Sequence, residues 1–442
     1  MKVIIIGGDA AGMSAASKLR RVQKNCDIII YEKDTYLSYA ACGLPYFVTS
    51  PAMQKDDLIQ RTKEEFEKAG LKPFLHHEVL RVWPDKKKVL VKDLSSGHEF
   101  EDTYDKLLIA TGARPIVPNF PGVTLDGVHV LKTVDDGVNM KAKLSDPNVQ
   151  NIIVVGGGYI GVEVAESVAQ MGKQVRIIEM AERILMPFDP EISKFAQYEL
   201  ARLGVKVNVK ERLESIIGDS TVEKVVTDRD TYDADLVILA LGVKPATDFL
   251  KDSGIQLAGN GAVIIDREMR TNVEDIYAVG DCAQVYNWVK QENDYIPLAT
   301  TANKCGRITG ENLAGKHIKF VGTLGSSALK VGEIELARTG LSESDAQKLE
   351  LDYKTVLVET RNVPHYYPDS TPIWFKMIYE NGTRRILGAQ GAGKDVVLRI
   401  NVFASAIFNK MSTSDLGMLD LCYSPPFATV WDAVHITANA AK

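Results

Sequence analysis

The fold is decided first at residues 2–22, KVIIIGGDAAGMSAASKLRRV. The apolar, β-branched run at 3–6 predicts a buried strand, and the glycines after it predict a tight turn into a helix over about residues 12–21. A second apolar run, 27–31, predicts another strand and ends at Glu32. This order is typical of a dinucleotide-binding unit, in which a diphosphate meets the helix N-terminus and the carboxylate accepts from ribose hydroxyls.

The same pattern returns at residues 151–180, NIIVVGGGYIGVEVAESVAQMGKQVRIIEM. Gly156, Gly158 and Gly161 stand in the full glycine fingerprint, and Glu179 ends the second strand. The first copy departs from the fingerprint, because Asp9 replaces its usual second glycine. Two complete copies predict two dinucleotide sites, and two Rossmann-like units without ligands are the weaker alternative.

Three more segments extend this plan. Apolar strands run into ATGARP at 110–115 and into Gly242, and a third is followed by Asp281, which is either a hydroxyl-binding carboxylate or a helix cap. From about residue 323 the pattern changes to alternating strands and an amphipathic helix. The predicted fold class is therefore α/β, with two Rossmann-like dinucleotide-binding domains followed by a separate α+β C-terminal domain.

Composition places the 442-residue chain among ordinary globular proteins. A net charge of −6 with interspersed acids and bases gives no strong field for nucleic acid. There is no signal-peptide core and no apolar run of membrane-spanning length, so a cytoplasmic location without membrane association is expected. The five cysteines are too irregularly spaced for a disulfide framework or a metal site, so no metal is expected.

One cysteine has a distinctive context, SYAACGLPY at 38–46. With the two nucleotide units, ATGARP and YAVGD, the whole chain resembles the pyridine nucleotide-disulfide oxidoreductase (flavoprotein disulfide reductase) family. Most members use a cysteine pair, which would need a second cysteine near position 37 or 47, where this chain has Leu37 and Phe47. Ser38, Cys42, Gly43 and Pro45 match the single-cysteine branch of coenzyme A disulfide reductases, NADH oxidases and NADH peroxidases.

The resemblance implies an FAD-binding domain (1–112 and 245–322), an NAD(P)H-binding domain (113–244) and a dimerisation domain (323–442) that forms a homodimer. Its implied FAD positions are Gly7, Asp9, Ala10, Ala11, Gly12, Glu32, Lys33, Val79, Ala110, Thr111, Gly112, Gly280, Asp281 and Ala299. Its implied nicotinamide-cofactor positions are Gly156, Gly158, Tyr159, Ile160, Gly161, Glu179 and Gly242.

Glu179 also supports an inference from its own chemistry. A carboxylate at the end of that strand accepts from both ribose hydroxyls, whereas it repels the 2′-phosphate of NADPH. NADH is therefore favoured, although Arg183, four residues on, leaves use of both cofactors open.

A cysteine with no internal partner has to cycle through a mixed disulfide with an external thiol or through sulfenic acid. Oxidases and peroxidases of this branch resemble one another in a first-loop histidine, where this chain has Ala10. The resemblance therefore implies FAD-dependent reduction of coenzyme A disulfide, and also of its persulfide or polysulfide, through a Cys42–coenzyme A mixed disulfide. The alternatives are an NADH oxidase reducing oxygen through Cys42 sulfenate, and a slow flavin-bearing redox sensor.

The remaining predicted positions follow from the same resemblance. Tyr366 or Tyr367 in HYYP and Tyr423 in CYSPPF are expected to assist Cys42 across the dimer, or to pack at an interface. Lys18 and Arg21 lie on one helix face and are expected to bind coenzyme A phosphates, or to form a solvated face. The full set of predicted substrate positions is Ser14, Lys18, Arg21, Ser38 and Asn303.

Overall fold

The computed structural model describes residues 1–442 and divides into two compact units. The first unit contains Met1–Ile116, Leu131–Ala142 and Gly242–Thr323, and the second contains Val117–Val130, Lys143–Leu241 and Leu324–Lys442. The second glycine fingerprint and the C-terminal region thus fall in one unit. Residues 131–142 belong to the other unit, which contains the first glycine fingerprint. The three-domain division with the boundaries given above stays a prediction.

The helices are numbered in chain order. They are α1 (Ala10–Val22), α2 (Leu44–Phe47), α3 (Lys63–Lys68), α4 (Val134–Leu144), α5 (Tyr159–Gln170), α6 (Pro190–Arg202), α7 (Ala299–Leu313), α8 (Glu343–Lys348), α9 (Val396–Phe408), α10 (Thr413–Gly417) and α11 (Ala433–Asn439).

The first unit is built on a five-stranded parallel sheet. Its strands, from one edge to the other, are Lys72–Phe74, Asp27–Tyr31, Lys2–Ile6, Lys106–Ile109 and Ile276–Ala278. In chain order this is the arrangement 3-2-1-4-5 of a Rossmann fold. The central strands are almost wholly apolar and buried, as parallel strands covered on both faces require. The two predicted strands are confirmed, and α1 begins two residues earlier than expected.

The second unit contains another five-stranded parallel sheet in the same 3-2-1-4 order with a fifth, short strand. Its strands are Lys206–Val209, Gln174–Glu179, Asn151–Val155, Leu236–Leu239 and Val128–His129. The short Val128–His129 strand precedes the others in the chain, so the fingerprint strand Asn151–Val155 still lies at the centre.

The C-terminal part of the second unit is an antiparallel sheet with helices. Its strands, in spatial order, are Ser327–Val331, Ile334–Gly340, Ile386–Gly393, Pro372–Glu380 and Tyr353–Arg361. Helix α9 packs on this sheet, which confirms the predicted α+β character of the region. Two smaller antiparallel sheets have three strands each: one contains His77–Trp83, Lys88–Asp93 and Glu99–Thr103, and the other contains Leu213–Ile217, Lys224–Thr227 and Thr231–Asp233. Two more have two strands each: Ala113–Pro115 pairs with Val243–Pro245, and Val285–Asn287 pairs with Glu292–Asp294.

Close packing of α1 against α7 fixes part of the first unit. A Cβ added at Gly306 would lie 2.5 Å from the Ala11 carbonyl oxygen, and one at Gly310 would lie 2.5 Å from the Ala15 carbonyl oxygen. Only glycine permits this close approach of the two helices. Side chains that flank the crossing on α1 and α7 can therefore contact one another.

Candidate cofactor and thiol sites

The first glycine turn is as tight as the fingerprint predicts. Gly7 has φ +106°, and a Cβ there would lie 2.2 Å from the Ala110 carbonyl oxygen. A Cβ at Gly12 would lie 2.0 Å from the Gly7 carbonyl oxygen. Side chains are thus excluded from both positions, and the N-terminus of α1 points its N–H groups out of the turn, where they suit a diphosphate.

Glu32 lies beside this turn and is held by two backbone donors. The Gly8 N–H donates to Oε2 at 2.6 Å, and the Asp34 N–H donates to Oε1 at 2.9 Å. Burial raises the pKa of Glu32, and the two N–H groups oppose that shift. The carboxylate is therefore fixed in orientation with acceptor capacity left for ribose hydroxyls.

The second unit repeats this geometry. Gly156 has φ +109°, and a Cβ there would lie 2.3 Å from the Ala240 carbonyl oxygen. Glu179 accepts from the Gly157 N–H at 2.6 Å and from the Ala181 N–H at 2.7 Å. A Cβ at Gly158 meets no atom within 4 Å, so the space in front of α5 is open. Both turns fit a dinucleotide by the shape of their glycine cradles.

The other predicted nucleotide positions are spread around these turns. Gly161 would place a Cβ 2.0 Å from the Gly156 carbonyl oxygen, and Tyr159 hydrogen-bonds through its hydroxyl to Ser327 Oγ at 2.7 Å. Thr111 donates to the Ala246 carbonyl oxygen at 2.8 Å. Gly112 and Gly242 have positive φ. Of the other predicted positions, Val79 and Ala110 are buried, Ala10 is half-buried, and Lys33, Ala299 and Ile160 are exposed.

Asp281 lies next to the N-terminal part of α1, beside the first glycine turn, and not at the end of a helix. Gly280, with φ +82°, brings the chain so close to α1 that its added Cβ would lie 3.0 Å from the Ala11 Cβ. Helix α7 begins only at Ala299, so the helix-cap alternative for Asp281 is wrong. Burial raises the pKa of Asp281, and Lys132 lowers it.

Cys42 lies in a single 3-10 turn, Ala41–Gly43, and is exposed. The preceding loop is bonded to the first glycine turn, since the Ser38 N–H donates to the Gly8 carbonyl oxygen at 3.0 Å and the Tyr39 N–H donates to Asp9 Oδ1 at 3.2 Å. Ser38 itself has φ +46°, an uncommon conformation for a residue other than glycine. The loop that leads to Cys42 is therefore hydrogen-bonded directly to the glycine turn of the candidate flavin site.

Helix α4 supports the segment that follows Cys42, which the sequence did not predict. Lys141 lies over the Phe47 ring at 4.3 Å and donates to the carbonyl oxygens of Ser50 and Met53 at 2.7 and 2.6 Å. A Cβ at Gly137 would lie 2.8 Å from Leu44 Cδ2. No local pattern in the sequence links residues so far apart.

The other cysteines of the first unit differ from Cys42. Cys26, Cys282 and Cys305 are buried, and burial raises the pKa of each thiol, to about 12 for Cys305. Raised thiol pKa values and burial are typical of inert cysteines. Cys42 is thus the exposed thiol of the first unit, and Cys422 is exposed in the second.

The structure brings most of the predicted substrate positions together along the α1–α7 crossing. Ser14 Oγ donates to Asn303 Oδ1 at 2.6 Å. Lys18 Nζ pairs with Glu311 Oε1 at 2.8 Å, and hydrogen bonds from Lys18 and Lys316 lower the pKa of Glu311 to about 2. Arg21, one turn beyond Lys18, is exposed. No motif in the sequence points to Glu311, whose charge opposes the predicted phosphate-binding role of Lys18.

Among the C-terminal tyrosines, Tyr366 and Tyr423 are a pair. Their hydroxyls are hydrogen-bonded, which raises the pKa of Tyr423, and both side chains are exposed. Tyr367 is half-buried and its N–H donates to the Pro364 carbonyl oxygen at 2.9 Å. The pairing favours Tyr366 over Tyr367 as the partner of Tyr423.

Comparison with known families covers nearly the whole chain. Residues 1–306 match the pyridine nucleotide-disulphide oxidoreductase family, and residues 326–434 match its dimerisation domain. The chain belongs to this family. The family is FAD-dependent and uses NAD(P)H, so the chain is a flavoprotein NAD(P)H oxidoreductase. The predicted fold class and cofactors are confirmed at this level.

Individual relatives lie on both sides of the substrate question. The chain is 38% identical over 443 residues to an NAD(P)H coenzyme A polysulfide/persulfide reductase of Pyrococcus horikoshii, covering 100% of this chain and 98% of the relative. It is 33% identical to an NADH oxidase of Methanocaldococcus jannaschii, covering 100% and 98%. A solved NAD-dependent persulfide reductase from A. fulgidus superposes with a TM-score of 0.96 at 33% identity, covering 100% of this chain and 83% of that one.

Two further observations concern metals and membranes. No cluster of three or more histidine, cysteine or acidic side chains is arranged to hold a metal ion. None of the helices combines the length and the apolar character that crossing a bilayer requires.

Proposed function

We propose that this oxidoreductase reduces coenzyme A disulfide, and coenzyme A persulfide or polysulfide, through a mixed disulfide at Cys42. The observation that supports this most directly is the exposed Cys42 thiol on a loop bonded to the first glycine turn, while the other cysteines of its unit are buried. An exposed thiol in that position, with the other cysteines of its unit buried, is accessible for exchange with an external sulfur compound. The coenzyme A-dependent relative of Pyrococcus horikoshii adds support for the substrate class.

The proposed cycle conserves atoms and electrons. The Cys42 thiolate attacks one sulfur of coenzyme A disulfide, the S–S bond breaks, and one coenzyme A thiolate leaves and is protonated. A hydride equivalent from NADH, which is two electrons and one proton, then cleaves the mixed disulfide, releases the second coenzyme A thiol and restores the Cys42 thiolate. FAD, when bound, supplies the two-electron relay between NADH and sulfur.

The chain's own residues position the reactants in this proposal. The cradle residues of the two turns, with Glu32 and Glu179, hold the two dinucleotides. Ser14, Ser38 and Asn303 line the route to the thiol, and Lys18 and Arg21 attract the phosphates of coenzyme A. In a homodimer formed through the dimerisation domain, the Tyr366–Tyr423 pair of one subunit donates a proton to the leaving thiolate in the other.

The NADH oxidase relatives make oxygen reduction the competing function. Ala10 leaves the first turn without a histidine beside the thiol, which favours a disulfide, whose thiolate leaving group needs less protonation than peroxide. The two functions separate in one experiment. Under nitrogen, coenzyme A disulfide should yield two thiols per NADH, and in air without disulfide, NADH consumption should fall well below the disulfide-dependent rate. Oxygen consumption at a comparable rate would support the oxidase.

The mixed disulfide can be tested directly by mass. We expect the denatured protein, incubated with coenzyme A disulfide, to gain the mass of one coenzyme A on the peptide that contains Cys42. The adduct should disappear on adding NADH anaerobically. An adduct confined to Cys422, or one that NADH does not release, would contradict the proposed cycle.

Glu311→Gln should strengthen substrate binding. Removing the carboxylate frees Lys18 for a phosphate, so the KM for coenzyme A disulfide should fall about two- to fivefold at low salt, the range for ion pairs at a protein surface. The kcat should stay the same, and the effect should shrink at high salt because screening weakens exposed charge interactions. Glu67→Gln, which removes an exposed acid paired with Lys63, is the matched control. An unchanged or higher KM would exclude Lys18 from phosphate binding.

A further inference from the structure

Position 9 is where the two nucleotide turns of this chain differ in a glycine of the fingerprint. Asp9 immediately precedes α1, and Gly158 immediately precedes α5 in the same place of the repeated fingerprint. The backbone is extended at both, with φ −107° at Asp9 and −77° at Gly158, so neither position requires glycine for its conformation. A side chain is therefore accommodated at position 9 without backbone strain.

The repeat also indicates where that side chain points. A Cβ added at Gly158 meets no atom within 4 Å, because it faces the open space in front of α5. By the equivalence of the two turns, the Asp9 Cβ faces the space in front of α1, where a dinucleotide places its diphosphate. The Asp9 carboxylate makes no capping hydrogen bond further into α1, and hydrogen bonds from the backbone N–H groups of Tyr39 and Ala10 lower its pKa.

The surroundings of Asp9 contain more acid than base. Asp9 Oδ1 accepts from the Tyr39 N–H at 3.2 Å, Lys132 attracts the carboxylate, and Asp281 repels it. Glu32 faces it across the turn, and Asp34 and Asp136 face the Tyr39 ring. Burial, opposed mainly by Lys132, raises the pKa of Asp9 to about 6. Asp9 is therefore mostly ionised at neutral pH before a further negative group arrives.

A diphosphate in front of α1 would add negative charge next to this carboxylate. Protonating a group with a pKa near 6 costs only about a factor of ten at pH 7. The repulsion between two neighbouring negative charges inside a protein exceeds the free energy that corresponds to this factor of ten. We propose that Asp9 takes up one proton from solvent when FAD binds and then donates a hydrogen bond from its carboxyl group to the diphosphate. This inference concerns the cofactor and is independent of the sulfur substrate.

The direction of the pH dependence follows from linkage. The pKa of Asp9 is higher in the FAD-bound protein than in the protein without FAD, so binding takes up a proton. FAD affinity is then greatest below about pH 6 and falls as the pH rises towards the pKa of the bound state. Between those two values the FAD dissociation constant rises about tenfold for each pH unit.

The test uses the purified holoenzyme, diluted at a series of pH values from about 6 to 8, with released FAD measured by its recovered fluorescence. The wild type should show the tenfold rise per pH unit, and Asp9→Asn, which keeps an acceptor for the Tyr39 N–H and a donor for the phosphate, should show none. Asp34→Asn removes a neighbouring acid and should keep the wild-type slope. A flat wild-type profile, or an equal slope in Asp9→Asn, would overturn the proposal.

Two additions make the result independent of one variant. Asp9→Gly restores the usual fingerprint residue and should also remove the slope, which decides the matter if Asp9→Asn does not fold. Infrared difference spectra of the holoenzyme at neutral pH should show the carbonyl stretch of a protonated carboxylic acid, which Asp9→Asn lacks. Absence of that band from the wild type would overturn the proposal as well.

Discussion

Replacing Cys42 with serine should lower disulfide reduction by at least about a thousandfold, the scale of losing a catalytic nucleophile. A serine hydroxyl is close to the thiol in size, so the loop bonded to Gly8 and Asp9 should keep its conformation. The hydroxyl is not ionised near neutral pH and cannot form a disulfide, so it cannot replace the thiolate. The measurement is anaerobic NADH oxidation with coenzyme A disulfide, followed with appearance of free thiol.

A matched control is available in the second unit. Cys422 is the other exposed cysteine, and Cys422→Ser should keep disulfide reduction within about twofold of wild type, as for substitutions away from a site. Flavin reduction by NADH should also survive in Cys42→Ser, because hydride transfer does not involve the thiol. If Cys42→Ser kept its disulfide activity, or if Cys422→Ser lost it, the proposed cycle would be wrong.

The two nucleotide units were predictable because their signals are local. In each, a buried strand, a glycine that no other residue can replace and an acid at the end of the next strand lie within a short stretch of chain. The steric reason is visible at Gly12 and Gly161, where an added Cβ would lie 2.0 Å from a carbonyl oxygen. At these positions the close packing of the turn requires the glycine that the sequence pattern contains, so the pattern alone was sufficient to predict the turn.

The rest of the site depends on contacts between distant segments. Lys132 faces Asp9, Lys141 supports the segment after Cys42, and Glu311 pairs with Lys18, and none of these pairs is close in the chain. Tyr366 and Tyr367 have nearly the same sequence context, and only the fold brings Tyr366 to Tyr423. Periodicity and motif spacing contain no information about such pairs.

Asp9 lies between these two cases. The sequence identified it as a departure from the fingerprint, but its consequence depends on Tyr39, Lys132 and Asp281, which the fold assembles around it. A departure from a motif therefore marks a position that needs a structural explanation. The second copy of the motif in the same chain supplies the comparison.

Cofactor preference should depend on Glu179, because the structure engages the side chain of Arg183 in other contacts. Arg183 Nη2 donates to the Phe188 carbonyl oxygen at 3.1 Å, and Nη1 pairs with Glu182 at 2.6 Å. Its side chain is only 16% exposed. With its guanidinium engaged in this way, Arg183 is poorly placed to neutralise a 2′-phosphate, so the Glu179 carboxylate should make NADH the preferred cofactor.

Glu179→Ala should reverse that preference. Removing the carboxylate ends its repulsion of the 2′-phosphate and frees the N–H groups of Gly157 and Ala181, which now donate to Glu179, to bind phosphate oxygens. NADH meanwhile loses the acceptor for its ribose hydroxyls. We expect kcat/KM to rise about tenfold for NADPH and to fall about tenfold for NADH, each equivalent to one lost or gained charge-assisted hydrogen bond.

The measurement is kcat/KM for both cofactors with one disulfide substrate. Glu214→Gln provides the control, because it removes an exposed acid of the same unit, paired with Arg212, and leaves Arg183 and the Gly157 and Ala181 donors unchanged; its cofactor ratio should change less than about threefold, as for exposed charges. A ratio that shifts equally in both variants would assign the preference to the general field of the surface. A ratio unchanged in Glu179→Ala would show that the strand-end carboxylate does not contact the ribose, and the nucleotide geometry proposed for the second turn would then be wrong.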